Sequence, residues 1–214
     1  MAASVSIPPP ATSTEMRLRI LRAARARFFV HGYSRLTMDH LAAELGMSKK
    51  TLYVHFSGKD EIIGAVIEDL GAEIREEADS LIRDRRLNLP EKLRGFIESM
   101  VERLANLNPR AVRDLQRFAP ALHDRLDEMR RKNIPYVFGR LIEEGQMTGL
   151  VRTDLPPAFV IGFFLHAMQG LMQPAGLEDL KLNPRDVVAN GIDLFFGGLF
   201  TPAGRKQYEK TFPR

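Results

Sequence analysis

The segment Thr37 to Phe56, TMDHLAAELGMSKKTLYVHF, constrains this chain more than any other. It holds two short helix-periodic runs joined by one tight turn, and two helices joined in that way must cross steeply. The crossing needs a small residue, which Ala42 supplies, and the turn needs a flexible one, which Gly46 supplies four residues later. Thr37 and Ser48 stand where side-chain oxygens cap the free N–H groups of helices over about 38–45 and 49–55. Leu41, Leu45, Met47, Leu52 and Phe56 then face inward, and Ser48, Lys49, Lys50, Thr51, Tyr53 and His55 project outward from the second helix. That outward set combines cations suited to phosphates with hydroxyl, imidazole and phenol tips suited to base edges and sugars. A helix of this size fits the DNA major groove, although a plain helical hairpin inside a core has the same periodicity.

The rest of the chain reads as helix too. Runs alternating apolar and polar residues, as a half-buried strand would need, are missing, so the expected fold class is all-α. Residues 1–13, with Pro8 to Pro10, read as a flexible arm. A first helix is expected over about 14–31, stopped by Gly32, and another from just after Gly58 to about 85, with Asp60 and Glu61 opposing the positive end of its dipole. Further helices are expected near 90–107, 110–118, 120–146, 156–174 and 184–200, with Pro90, Pro109, Pro120, Pro156 and Pro184 near their starts. Pro135 falls inside one of them and predicts a kink or a break. The expected division is an arm over 1–13, a DNA-binding unit over 14–58 and a larger helical unit over 59–214.

Charge separates these units. The 214 residues carry a net charge of +4. Residues 1–56 alone hold eight cations (Arg17, Arg19, Arg22, Arg25, Arg27, Arg35, Lys49, Lys50) against three anions (Glu15, Asp39, Glu44), so the remainder sums to −1. A basic end on a nearly neutral body suits contact with a polyanion through that end, or equally a solvated helix face. The chain contains no cysteine, so disulfides, thiolate metal sites and thiol nucleophiles are excluded. HExxH spacing, a Walker phosphate loop and GxGxxG are all absent, and the five histidines are scattered; no enzyme, cofactor or metal is expected. His123 with Asp124, Asp127 and Glu128 reads as a solvated face rather than a metal cluster. The opening residues lack the basic and apolar regions of a secretory signal, and the most apolar stretch, Ala158 to Met172, is broken by His166 and Gln169. A cytoplasmic protein without membrane attachment is expected.

Gly32-Tyr33, Thr37-Met38, Leu41-Ala42, Gly46-Met47-Ser48-Lys49, Thr51-Leu52-Tyr53, His55-Phe56 and Lys59 together resemble the signature of the tetracycline-repressor (TetR) family, over roughly residues 14–65. The resemblance implies a homodimeric transcription factor, usually a repressor, released from a double-stranded DNA operator by a small molecule bound in the larger domain. Carried over residue by residue, it implies that Thr37 meets a phosphate and that Ser48, Lys49, Thr51, Tyr53 and His55 form the recognition surface. It further implies that Lys59 clamps a phosphate from the next helix. Lys50 departs from the small residue common at its position, and either adds a contact or is solvated. Tyr53 is read as mixed, its ring packed in the three-helix unit and its hydroxyl on DNA.

The apolar 156–174 and 184–200 helices suit an isologous dimer interface as well as a monomer core. Met100, Phe118, Leu122, Tyr136, Phe163, His166 and Gln169 are candidates to line a pocket for a hydrophobic or aromatic effector. The alternative is a constitutive or architectural DNA-binding protein without small-molecule control. The helical body is larger than DNA binding alone needs, which argues against that alternative.

Overall fold

The structure, a computed structural model, describes residues 12–104 and 107–211, and among them eleven helices and no strand. α1 (Ser13–His31) opens with a capping box, Thr12 Oγ1 accepting from the Glu15 N–H at 3.2 Å while Glu15 accepts from the Thr12 N–H at 2.7 Å. Ser13 and Thr12, expected in the arm, therefore belong to the helix start; the rest of that arm, residues 1–11, lies outside the described residues. α2 (Met38–Leu45) and α3 (Lys49–His55) form the expected hairpin, and α4 (Lys59–Arg83) follows after Gly58. Then come α5 (Leu89–Leu104), α6 (Pro109–Phe118), α7 (Pro120–Met147), α8 (Pro157–Leu171), α9 (Pro174–Leu180), α10 (Pro184–Leu199) and α11 (Pro202–Thr211).

α9 and α11 were not legible in the sequence. α9 is too short for a period to show, and Lys181 ends it in the left-handed region at φ 53°. α11 is mostly polar and is anchored from outside, by Tyr208 packing on Phe200 and donating to Asp193. Of the kink or break expected at Pro135, the break is absent, since α7 runs through it as one helix. The ring removes one backbone hydrogen bond, but Val137, Phe138, Leu141 and Ile142 just beyond it are all buried. At roughly 1.5–3 kcal/mol for each large apolar side chain buried, they offset the roughly 3 kcal/mol an internal proline costs.

Two apolar clusters organise the helices. The first joins α1, α2, α3 and the start of α4 to Ala111 and Leu115 of α6 and Leu122 and Leu126 of α7. The second joins α5, the later half of α7, α8, α10 and α11, with Phe138 at its centre, ringed by Phe96, Phe164, Phe195 and Phe196. α4 and α7 pack against each other and run through both clusters. Their close approach uses glycines on α4: a Cβ on Gly71 would lie 2.7 Å from Met129 Cγ. Asn133 of α7, buried, donates from Nδ2 to the Gly71 carbonyl at 2.8 Å and accepts from Arg75 at 2.8 Å.

A second tight contact, at Gly145, closes the end of α7. A Cβ there would lie 2.3 Å from Val151 Cγ2 and 2.9 Å from Leu89 Cδ2, whereas one at Gly139 meets only Ile161 at 3.7 Å. Gly145→Ala is therefore expected to destabilise the protein by about 1–3 kcal/mol. Gly139→Ala stabilises it by about 0.5–1 kcal/mol through the lost flexibility of glycine. Urea denaturation midpoints moving in opposite directions check the pair.

Candidate functional site

α3 is held by two apolar anchors and one side-chain cap, and α2 before it by a cap of its own. Leu52 is fully buried, and Phe56 nearly so, beneath the Arg17 guanidinium at 4.2 Å from its ring centroid. The turn before α3 depends on Gly46 at φ 65°, a left-handed conformation that lets Gly46 and Met47 return their N–H groups to the Ala43 and Ala42 carbonyls. Arg19 donates to the Leu45 carbonyl at 3.1 Å, satisfying another orphan group at that helix end. Thr37 Oγ1 accepts from the His40 N–H at 3.2 Å, and Ser48 Oγ from the Thr51 N–H at 3.0 Å. The two expected caps are therefore in place.

With its inner face so committed, α3 presents Ser48, Lys49, Lys50, Thr51 and Tyr53 to solvent, with His55 half-buried. Tyr53 is 51% exposed, so about half of the side chain is covered and half is open to solvent. Val54, 76% exposed, also stands on this surface. Val54 is absent from the outward set read off the sequence, although its position two residues from both Leu52 and Phe56 puts it on the opposite side of the helix. Lys49 is paired with Asp39 of α2, and Lys50 has no partner among the described residues. Lys59, at the start of α4, rests over the Tyr33 ring at 4.0 Å. Tyr33 donates to Asp60, and burial together with that bond pushes its hydroxyl up to about 12. Glu61 accepts from the Ser57 N–H at 2.7 Å and hydroxyl at 2.8 Å, which holds its carboxyl below the usual range.

The basic end is thus partly engaged within the protein. Arg17, Arg19, Arg25 and Arg27 are all partnered, the last two with Glu73 and Glu44. Arg22 and Arg35, exposed, have no partner among the described residues.

Behind this unit lies a cavity of about 210 Å³, lined almost wholly by apolar side chains. Its walls come from Phe28 and Phe29 of α1, Ile67 of α4, Leu115 of α6 and further residues of α5, α7, α8 and α10. Of the seven ligand candidates, Met100 and Gln169 line it. The other five do not. Leu122 is buried in the first cluster, and Tyr136 is turned to Asp79, donating at 2.5 Å between the Arg75 and Arg140 guanidiniums. Phe118 and Phe163 are exposed, and exposed His166 is bonded through Nδ1 to its own helix at the Gly162 carbonyl, 2.7 Å away. Periodicity places these residues on helices without saying which helix faces which, and that is why five of the seven lie away from the cavity. Asp127, assigned to a solvated face, is instead buried at the cavity wall, bonded to Arg130 at 3.1 Å.

α6 connects cavity and hairpin. Val112 and Leu115 line the cavity, while Asp114 between them accepts from the Ser34 N–H at 3.0 Å in the turn before α2. Asn108 donates from its own N–H to Phe29 O at 2.7 Å and from Nδ2 to Val30 O at 3.0 Å, tying the end of α1 to the same helix.

Residues 20–66 match the family described as bacterial regulatory proteins, tetR family. The chain belongs to the TetR family. Among curated relatives, this TetR-family chain is 26% identical over 168 residues to the uncharacterised HTH-type transcriptional regulator YvaF of Bacillus subtilis (strain 168), covering 78% of this chain and 87% of YvaF. It is 23% identical over 167 residues to the HTH-type transcriptional repressor DhaR of Mycobacterium sp. (strain GP1), covering 77% and 84%. Its fold is that of FadR from Bacillus subtilis, a structure solved in complex with stearoyl-CoA (TM-score 0.63, 18% identity, 85% of this chain and 98% of that one). Among the described residues no helix is long and apolar enough to cross a membrane, and no group of three or more His, Asp or Glu is placed to hold a metal ion.

The Ser48 cap carries the local stability of α3. Ser48→Ala is expected to cost about 1 kcal/mol there. Amide hydrogen exchange in 50–55 should then quicken several-fold while exchange in α7 stays unchanged.

Proposed function

We propose that this TetR-family regulator is a homodimeric repressor that binds duplex DNA through α3 and leaves it when a small hydrophobic or aromatic effector occupies the cavity. The observation that carries this reading is a surface helix anchored by Leu52 and Phe56, exposing Ser48, Lys49, Lys50, Thr51, Tyr53 and Val54, with an apolar cavity deeper in the molecule whose walls include α1, α4 and α6. DhaR is a repressor and FadR binds stearoyl-CoA, which supports the same two halves of the reading.

In the proposed complex, Thr37, Lys49, Lys50 and Lys59 meet phosphates. Ser48, Thr51, Tyr53 and His55 meet base edges and sugar, and Val54 meets an apolar base edge such as a thymine methyl. Lys49 exchanges Asp39 for DNA. The residues fall into a DNA-binding unit over 14–58 and a regulatory unit over 59–214, although one apolar cluster serves the hairpin and the front of α6 and α7 alike. Release works through differential affinity: an effector that prefers the conformer with misplaced α3 helices lowers DNA affinity. α4 is the lever, since it starts beside the hairpin and lines the cavity, and the Asp114–Ser34 contact makes α6 a second one.

A dimer through α8 and α10 is supported by Phe163 and Leu194, 64% and 81% exposed, on two helices that pack together. Nothing lies within 4 Å of where a Cβ would stand on Gly162, Gly197 or Gly198, so a partner's backbone has room to approach. Such a dimer sets two α3 helices in successive major grooves about 34–36 Å apart. Constitutive binding without an effector is the second reading, and the cavity's apolar lining disfavours it.

Mobility shifts test the DNA surface. Lys49→Ala is expected to weaken operator and random DNA alike and to reduce the slope of log affinity against log salt by about 0.9. Tyr53→Ala and Val54→Ala weaken the operator preferentially, and operator affinity unchanged in all three variants would remove the assignment. For the dimer, Leu194→Asp combined with Phe163→Asp is expected to give a folded monomer by size exclusion with light scattering, with operator affinity lost.

A further inference from the structure

The charged part of the cavity wall is unbalanced. Arg103, Arg130, Arg131 and Asp127 line it. Arg103 is matched twice, donating from one nitrogen to Glu73 at 2.8 Å and from the other to Glu77. Asp127 is instead divided: Oδ1 accepts from Arg130 at 3.1 Å, while Oδ2 faces Gln169 Nε2 at 3.4 Å and His123 Nδ1 at 3.7 Å. Arg130 therefore has a share of one carboxylate and uses one of its five N–H donors on it. Its surroundings are desolvated enough that burial pushes the guanidinium below its ordinary value, yet an arginine does not give up its proton in a protein. Arg130 lines the cavity with 23% of its side chain still accessible, so its unused donors stand open to an anion that enters.

The remaining wall describes the body of that anion. Five phenylalanines, Phe28, Phe29, Phe96, Phe138 and Phe164, face the cavity, offering edges and faces to another ring. An apolar cavity of roughly 150 Å³ takes one benzene ring, so about 210 Å³ suits one or two.

Resting on the effector reading above, we propose that the cavity is a site for a compact aromatic carboxylate, its carboxylate on Arg130 and its rings among the phenylalanines. A cationic ligand is disfavoured because it would compete with Arg130 for Asp127 and face the Arg131 charge. A neutral ligand would leave the Arg130 donors unused. Planar, two-point pairing of guanidinium with carboxylate favours a carboxylate over other anionic groups of this size.

Calorimetric titration of the full chain with 2-naphthoate, 2-naphthalenemethanol and 2-naphthylmethylammonium tests the charge preference on one shared body. Naphthoate is expected to bind about tenfold or more tighter than the alcohol, the yield of one charge-assisted bond, with the ammonium weakest. Arg130→Met should bring naphthoate to within about twofold of the alcohol while leaving the alcohol's affinity unchanged, because only the charge-assisted bond is lost. Asp127→Asn, which frees Arg130, should widen the gap; a merely structural role for either residue would move both ligands together. Equal affinity of wild type for naphthoate and alcohol, or an unchanged ratio in Arg130→Met, overturns the proposal. If the alcohol binds as well as naphthoate and releases DNA, effector control stands and only the carboxylate preference falls. If none of the three binds, the proposal falls, and the mobility shifts of the α3 variants judge the DNA reading separately.

Discussion

The contact between α4 and α7 is the constraint on which the rest depends. Both helices are long enough to cross from the first apolar cluster into the second, so each is half in the hairpin's core and half in the helical body's. Two such helices lie close only where one lacks side chains, and α4 places Gly64 and Gly71 against Arg125 and Met129 of α7. Asn133 then fastens the pair by bonding the Gly71 carbonyl and receiving Arg75, so a polar side chain buried in the seam leaves no orphan and sets the register of one helix on the other. The cavity lies beside this seam, walled by both helices.

That arrangement joins the hairpin core to the cavity without a separate device. α1 contributes Phe28 and Phe29 to the cavity and Ile20, Leu21 and Ala24 to the hairpin core, so matter placed in the one pushes on the other. α6 adds a polar link at Asp114, beneath Gly32, whose φ of 80° and lack of a side chain let the carboxylate sit against the turn. A packed interior transmits such a displacement because it has few voids to absorb it.

The charge asymmetry that singled out the N-terminal end has a divided meaning. Three arginines of α1 brace the hairpin, Arg17 stacking on Phe56, Arg19 capping α2 and Arg27 pairing with Glu44, while Arg25 ties α1 to Glu73 of α4. Their positive charge remains at this end of the molecule, but their side chains are committed to packing α1 against its neighbours. The cations left most accessible to a polyanion are Lys50, Arg22 and Arg35, with Lys49 held by an exposed ion pair that is weak in water.

Local chemistry was enough for the hairpin. Thr37, Gly46 and Ser48 act within three or four residues of themselves, and the 3.6-residue period sorts Leu41, Leu45 and Leu52 from Lys49, Lys50 and Tyr53, so the sequence by itself determined the helix-turn-helix and its outward face. It likewise determined that almost everything else is helical. The cavity was decided by tertiary structure alone. Which side of α5, α7 or α8 meets a neighbour depends on crossing angles and on glycines hundreds of atoms away. Phe163 and His166 could therefore sit in an apolar run and still point to solvent, while Asp127 and Arg130, charged and apparently superficial, ended at the cavity wall. A helical period specifies a face, and only the packing of one helix on another specifies what that face sees.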